Sequence, residues 1–410
     1  MAVRNGTPEP DFLIGTDPGP NRTGADTIRG FGKEDTLNGL GGNDTIFGGD
    51  DKDLIYGGDG VDSLLGEAGE DEIYGEGGND ILRGGLDKDN LHGGDGADRL
   101  FGQEGEDSLF GDAGNDTMFG GANATDALDG IDYLDGGFGN DWVYAGEGDV
   151  ALGGSGNDNL VGSFTNDVLY GDDQLGTIAQ GADTLNGGDG NDTMYGGGGN
   201  DVFTDTVGAN YFYGGAGNES ITAGADADFI DGGEGVDNLL GGGGDDVIYG
   251  DFGVADSLSG NDVLNGQAGN DSLNGGFGAD RVIGGAGFDI LSGGETGTIE
   301  TAADTLTGGA DADLFQIASS GFVLDPSEFP PLPQPVGDII TDFQDGTDRI
   351  EFDGAFTDLI ITGNGTSSVT LRVVNPGEPA NGIPDYSELV ATINGANASV
   401  ITIDANDFIV

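Results

Sequence analysis

The chain has 410 residues, with 76 acidic against 11 basic side chains, a formal net charge of −65, and 87 glycines. So much uncompensated charge on a chain of modest hydrophobicity belongs to a polypeptide that stays disordered unless something neutralises its carboxylates. Nucleic-acid binding, which needs a basic surface, and docking on anionic membranes are excluded, and the lack of cysteine excludes disulfides and thiolate metal sites.

In chain order, residues 1–23 read as an N-terminal cap built on a degenerate repeat that places Asp11 in frame; residues 1–10 lack the apolar core of a cleavable signal peptide. From residue 24 the frame is regular. Asp26, Asp35, Asp44, Asp53, Asp62, Asp71, Asp80, Asp89, Asp98, Asp107 and Asp116 recur every nine residues. Two positions after each stands an apolar side chain, from Ile28, Leu37 and Ile46 to Leu100, Leu109 and Met118. Glycines precede the aspartate, as in Gly57-Gly58-Asp59-Gly60-Val61-Asp62-Ser63-Leu64-Leu65.

The frame returns at Asp132 and Asp141, then at Asp158 and Asp167. It runs again through Asp183, Asp192, Asp201, Asp228, Asp237 and Asp246, with Asn210 and Glu219 replacing aspartate. Further copies carry Asp262, Asp271, Asp280 and Asp289, then Asp304 and Asp313. Longer steps mark enlarged turns near 117–131, 168–182, 247–261 and 290–303, expected to leave the repeat as loops. Residues 317–336 form a proline-rich loop, and 337–410 are expected to fold as a C-terminal β cap. Antiparallel strands are expected in that cap near 369–374, 388–393 and 400–403.

A nine-residue unit is too short for a helix and a turn. It suits a six-residue glycine-rich turn followed by a three-residue strand, whose middle residue points in and whose flanking residues point out. One buried side chain per unit cannot stabilise a unit alone, so copies must stack. Two units per coil of 18 residues give an all-β fold, a parallel β-roll (β-solenoid) over 24–316 with two sheets back to back. The ninth position faces outward and is often aromatic: Tyr56 and Tyr74 should stack on one sheet, Phe101 and Phe119 on the other.

The repeat resembles the repeats-in-toxin (RTX) nonapeptide family. The resemblance implies that Ca²⁺ sits between successive turns on one side, held by turn carbonyls and by the sixth-position aspartate. Asp44 would then pair with Asp62 one coil on, and Asp53 with Asp71. All the aspartates named above from Asp26 to Asp313 become candidate metal ligands. Their chemistry agrees, because Ca²⁺ prefers six to eight oxygens and the turns lack the histidine or cysteine of a transition-metal site. About thirty units with one ion each would add about +60, close to balancing the chain's charge. Turn capping by the aspartates alone leaves that charge unexplained, although the coils at Asn210 and Glu219 are expected to be poor in metal.

The resemblance also implies bacterial secretion, with the protein extracellular or on the cell surface. The end Asp407-Phe408-Ile409-Val410 looks like the uncleaved signal of type I export, so type I machinery is an expected partner. No enzyme is expected: His92 is the only histidine, which excludes an HExxH helix or a serine triad, and it sits at an outward ninth position. The expected function is a secreted, Ca²⁺-binding structural protein that assembles with itself as a homo-oligomer or polymer. The alternatives are an RTX module that binds or modifies extracellular polysaccharide, and the repeat half of a split exoenzyme. No nucleic acid and no membrane span are expected.

Overall fold

A computed structural model describes residues 3–16, 24–122, 130–173, 180–254, 258–294, 303–317, 338–343, 349–352, 359–362, 368–375, 386–395 and 408–409. The chain divides into two compact units, Met1–Tyr211 and Phe212–Val410. No helix occurs among the described residues, and each unit is a parallel β-solenoid with two sheets.

In the first unit, one sheet begins with Val3–Asn5, Thr27–Gly32, Thr45–Asp50, Ser63–Ala68, Ile81–Leu86 and Arg99–Glu104, each strand parallel to the next. The other sheet takes the alternate repeats: Phe12–Ile14, Thr36–Asn38, Leu54–Gly60, Glu72–Gly78, Asn90–Asp95 and Ser108–Ala113. Register puts like on like. Ile28 lies beside Ile46, Ile46 beside Leu64 and Leu64 beside Leu82, and all four are fully buried. Burying each such side chain contributes about 1.5–3 kcal/mol, and because the ladder runs between coils, a coil is stable only in a stack.

The strands correct the expected division into a three-residue strand and a six-residue turn. Many have six or seven residues, because pairing continues into the glycines: Gly49 faces Glu67 and Asp50 faces Ala68. Only a short elbow is left unpaired. The turn carries its signature in Gly58, at φ 103°, a left-handed conformation that costs glycine little.

The N-terminal segment adds strands to the roll itself, Val3–Asn5 and Phe12–Ile14 pairing with Thr27–Gly32 and Thr36–Asn38. Most of the expected enlarged turns (123–129, 174–179, 255–257 and 295–302) and the proline-rich loop (318–337) lie outside the described residues. Their lengths still show in the register. Met118 pairs with Val143, and Leu160 with Leu185, so the sheet resumes unbroken on either side of each insertion.

The second unit repeats the plan. Ser220–Thr222, Asn238–Gly243, Val263–Ala268, Arg281–Ala286 and Thr305–Ala310 form one parallel sheet. Phe229–Glu234, Val247–Tyr249, Ser272–Asn274, Ile290–Ser292 and Leu314–Ile317 form the other. The expected antiparallel strands near 369–374 and 388–393 do pair antiparallel, and parallel strands join them in the cap. Asp338–Phe343 and Arg349–Phe352 continue the two parallel sheets, and Tyr386–Gly395 joins in parallel. Ser368–Asn375 pairs antiparallel with Tyr386–Gly395, and Leu359–Thr362 with Ser368–Asn375. Phe408–Ile409 pairs with Arg349–Phe352; the rest of the expected export signal and the segment 400–403 lie outside the described residues.

Candidate metal centre

Each repeat enters its strand through the aspartate, so the turns leading into one sheet place their aspartates along one edge of the stack and those leading into the other along the opposite edge. In the first unit one row is Asp26, Asp44, Asp62, Asp80, Asp98, Asp116, Asp141, Asp158, Asp183 and Asp201. The second is Asp35, Asp53, Asp71, Asp89, Asp107, Asp132, Asp167 and Asp192. Every one is at most 2 % exposed. Both edges carry a row, and the expected pairs fall one on each: Asp44 with Asp62, and Asp53 with Asp71. In the second unit Asp237, Asp262, Asp280 and Asp304 form one row, and Asp228, Asp246, Asp271, Asp289 and Asp313 the other; all are buried.

One carboxylate oxygen is spent on the stack. The backbone N–H of Asp44 donates to Oδ1 of Asp62 at 2.6 Å, and that of Asp62 to Oδ1 of Asp80 at 2.7 Å. On the other edge Asp53 N–H donates to Asp71 Oδ1 at 2.7 Å, and Asp71 N–H to Asp89 Oδ1 at 2.8 Å. These bonds cross from coil to coil. The second unit has the same link, Asp237 N–H to Asp262 Oδ1 at 2.8 Å. A few aspartates also cap their own turn, Asp167 accepting from Ser163 N–H at 2.7 Å and Asp228 from Gly224 N–H at 3.3 Å.

The other oxygen is left over. Oδ2 of Asp44, Asp53, Asp62, Asp71, Asp80, Asp89, Asp98, Asp107, Asp116, Asp141, Asp158, Asp246, Asp262, Asp271 and Asp289 is buried and accepts no hydrogen bond. A buried carboxylate oxygen without a partner is costly, and here the cost recurs in coil after coil. Its surroundings are oxygen-rich. A Cβ placed on Gly57 would lie 2.6 Å from Asp62 Oδ2 and 2.8 Å from the carbonyl oxygen of Gly75. On Gly93 it would lie 2.6 Å from Asp98 Oδ2 and 2.8 Å from the carbonyl of Gly111. Glycine thus leaves room for a carboxylate oxygen and a carbonyl of the next coil to converge.

Burial pushes these carboxyls up from their ordinary range. Asp53, Asp71 and Asp80 are raised to about 7, and Asp89 and Asp116 to about 8. Desolvation is the largest cause; the inter-coil hydrogen bond lowers them in part, and neighbouring carboxylates raise them again, as Asp107 and Asp71 do for Asp89. The site favours either a proton or a cation at each rung. The donors are all hard oxygens, which fits Ca²⁺. Among the described residues no group of three or more His, Asp or Glu side chains that could hold a metal is found, so a cation bound at a rung would draw most of its ligands from backbone carbonyls.

The sequence frame missed several buried carboxylates. Asp149 accepts the N–H of Asp132 at 2.7 Å and passes its own N–H to Asp167 at 3.0 Å, which completes the row between them. Its unit has eight residues instead of nine, and Ala151 fills the inward position; the pattern Gly148-Asp149-Val150-Ala151 was the available signal. Asp172 begins an enlarged turn and accepts from Gly181 N–H at 3.1 Å and from Gly198 N–H, one coil on, at 2.7 Å. Asp251 opens another and accepts from Phe277 N–H at 3.0 Å. Asp205 is also buried.

His92 does face outward, and it is part of a stack. Its ring lies 5.0 Å from Tyr74 and 4.6 Å from Phe110, and Tyr74 lies 5.2 Å from Tyr56. On the other sheet Phe101, Phe119 and Tyr144 stack at 5.0 and 4.7 Å with interplanar angles of 3° and 2°.

A glycine-turned parallel roll with buried carboxylates along both edges has the features of a cation-binding β-roll. The sequence comparison places it further. The family model described as the RTX calcium-binding nonapeptide repeat matches residues 22–55, 29–64, 56–91, 92–124, 126–149, 152–174, 179–203, 204–239, 222–254, 256–291 and 300–316. The chain belongs to the RTX calcium-binding repeat family, whose members are typically secreted. No catalytic domain family is found with it, and no curated protein matches the chain.

Proposed function

We propose that this chain is a secreted, Ca²⁺-dependent structural protein that folds on meeting extracellular Ca²⁺ and assembles with its own copies into a layer, filament or matrix. In the Ca²⁺-poor cytosol, sites with extracellular affinities of about 10⁻⁴–10⁻³ M stay empty, and the self-repelling chain stays unfolded and can be threaded through a type I exporter. Outside, Ca²⁺ binds the folded form and draws folding forward. In that state the aspartate rows bind Ca²⁺ through Oδ2 while Oδ1 holds neighbouring coils together.

The assembly reading is carried by the outer face of one sheet in the first unit. Phe47 and Leu65, then Arg83, then Phe101, Phe119 and Tyr144 follow one another in register across adjacent strands, the Arg83 guanidinium lies 5.0 Å from the Phe101 ring centre, and Trp142 beside them is 47 % exposed. An aromatic-rich strip interrupted by a single arginine, on an otherwise acidic protein, suits association with a like surface. Stacking of sugar rings is disfavoured, because the faces of Phe101, Phe119 and Tyr144 already lie against one another. A Ca²⁺ titration followed by circular dichroism and light scattering together is the test. β-Structure and large particles arising together are expected; β-structure with strictly monomeric scattering would overturn the structural role and leave calcium-driven folding standing.

A further inference from the structure

The first unit breaks its own rule at Asn210. The amide keeps one duty of the aspartate it replaces, since its Oδ1 accepts the N–H of Asp192 at 2.8 Å. It cannot supply the negative charge. Five residues earlier, where the frame carries glycine in Gly48, Gly57 and Gly93, the chain has Asp205, and this side chain is 1 % exposed.

In an ordinary coil two oxygens converge on that turn. A Cβ placed on Gly48 would lie 2.5 Å from Asp53 Oδ2 and 2.7 Å from the carbonyl of Gly66, eighteen residues on. At Gly187 the same position is met by Asp192 Oδ2 and by Oδ2 of Asp205, again eighteen residues on. A carboxylate has taken the place of the backbone carbonyl. Asp192 is fully buried, and its Oδ2 accepts no hydrogen bond. Two carboxylate oxygens brought together out of water repel one another unless a proton or a cation lies between them.

We propose that Asp205 rebuilds from a side chain the cation site that Asn210 leaves one charge short, with Ca²⁺ held in the Gly187 turn by Asp192 Oδ2 and Asp205 Oδ2. The proposal rests on the calcium reading of the regular rows and reverses the expectation that the Asn210 coil is poor in metal. Charge has moved within the turn: the hydrogen-bonding duty stays at position 210 and the ionic duty passes to position 205. Oxygen donors alone keep the selectivity with hard cations.

Native mass spectrometry of the full chain, loaded with Ca²⁺ and counted ion by ion, tests it. Asp205→Asn, which preserves shape and removes the charge, is expected to bind one ion fewer than the parent. The double change Asp205→Gly with Asn210→Asp, which restores the ordinary frame, is expected to recover that ion. An unchanged count in Asp205→Asn, with the protein folded, overturns the proposal and means that the pair shares a proton. A crystal structure of the Ca²⁺-loaded chain separates the two levels of inference. Anomalous density at about 2.3–2.6 Å from both Oδ2 atoms supports the site. Density in the Asp53 and Asp71 turns but none at Gly187 overturns this site alone, whereas no density in any turn overturns the calcium reading itself.

Discussion

Asp62 serves two masters with its two carboxylate oxygens. Oδ1 reaches back one coil and accepts the N–H of Asp44 at 2.6 Å, while Oδ2 is buried and accepts no hydrogen bond. The first contact belongs to the stack in any state that is folded; the second has a use only when a cation or a proton is present.

Two substitutions at this residue should therefore part company. Asp62→Asn retains an acceptor for Asp44 and removes the charge, so the Ca²⁺ midpoint of folding is expected to rise while the fold at saturating Ca²⁺ is kept. Asp62→Ala also orphans the buried N–H, which costs about 1–3 kcal/mol more. Circular dichroism during Ca²⁺ titration reads the midpoint, and denaturant melts at saturation read the stability. Equal Ca²⁺ midpoints for the parent and Asp62→Asn would remove Asp62 Oδ2 from the ligand set.

Neighbouring glycines differ sharply in what they tolerate. Gly57→Ala puts a methyl group 2.6 Å from Asp62 Oδ2 and 2.8 Å from the Gly75 carbonyl; the overpacking is expected to cost about 1–3 kcal/mol and to weaken Ca²⁺ binding. At Gly77 the nearest atom to a new methyl is Asp59 Oδ1 at 3.7 Å, so Gly77→Ala should melt with the parent. Thermal melts of both variants in Ca²⁺ make the comparison.

Proton and calcium should act in opposite senses along the pH axis. Burial raises Asp98 and Asp107 to about 6, Asp53 to about 7 and Asp89 to about 8, against about 4 in an unfolded chain. The folded state then holds more protons than the unfolded one. Without Ca²⁺, these groups stabilise the fold fully below pH of about 4, and the stabilisation is lost as pH rises through 6 to 8. With Ca²⁺ the ionised form is needed, so the Ca²⁺ midpoint is expected to fall over the same rise in pH. Circular dichroism with chelator at pH 4 and pH 8 checks the first half; titrations at pH 6 and pH 8 check the second.

The outward rings bear on both stability and assembly. Phe119 stacks on Phe101 and on Tyr144, and each such pair is worth about 0.5–1.5 kcal/mol beyond the area it buries. Phe119→Ala is expected to lower stability by about 1–3 kcal/mol and to reduce Ca²⁺-dependent scattering. Full-size particles from a destabilised Phe119→Ala chain would make the ring stack a purely internal brace.

Much of this molecule is written in local pattern. A nine-residue period with one apolar position can bury that position only by stacking, so the roll, its two sheets, the inward Ile and Leu rows and the outward rings were all legible from spacing. The aspartates were legible as candidate ligands because their charge has no other outlet in the sequence. What the period could not convey is which oxygen does which work. Oδ1 and Oδ2 of Asp62 are chemically identical until a neighbouring coil presents an N–H to one of them, and that neighbour is eighteen residues away. Asp149 escaped because its unit is one residue short, a slip that inter-coil register absorbs and a nine-residue frame rejects. Asp205 escaped because it stands where the frame has glycine, and only the folded turn brings its carboxylate to Asp192. Composition and period determined that the chain is a roll of calcium-binding repeats; contacts between coils decided how each carboxylate is placed, because those contacts join residues that the sequence keeps apart.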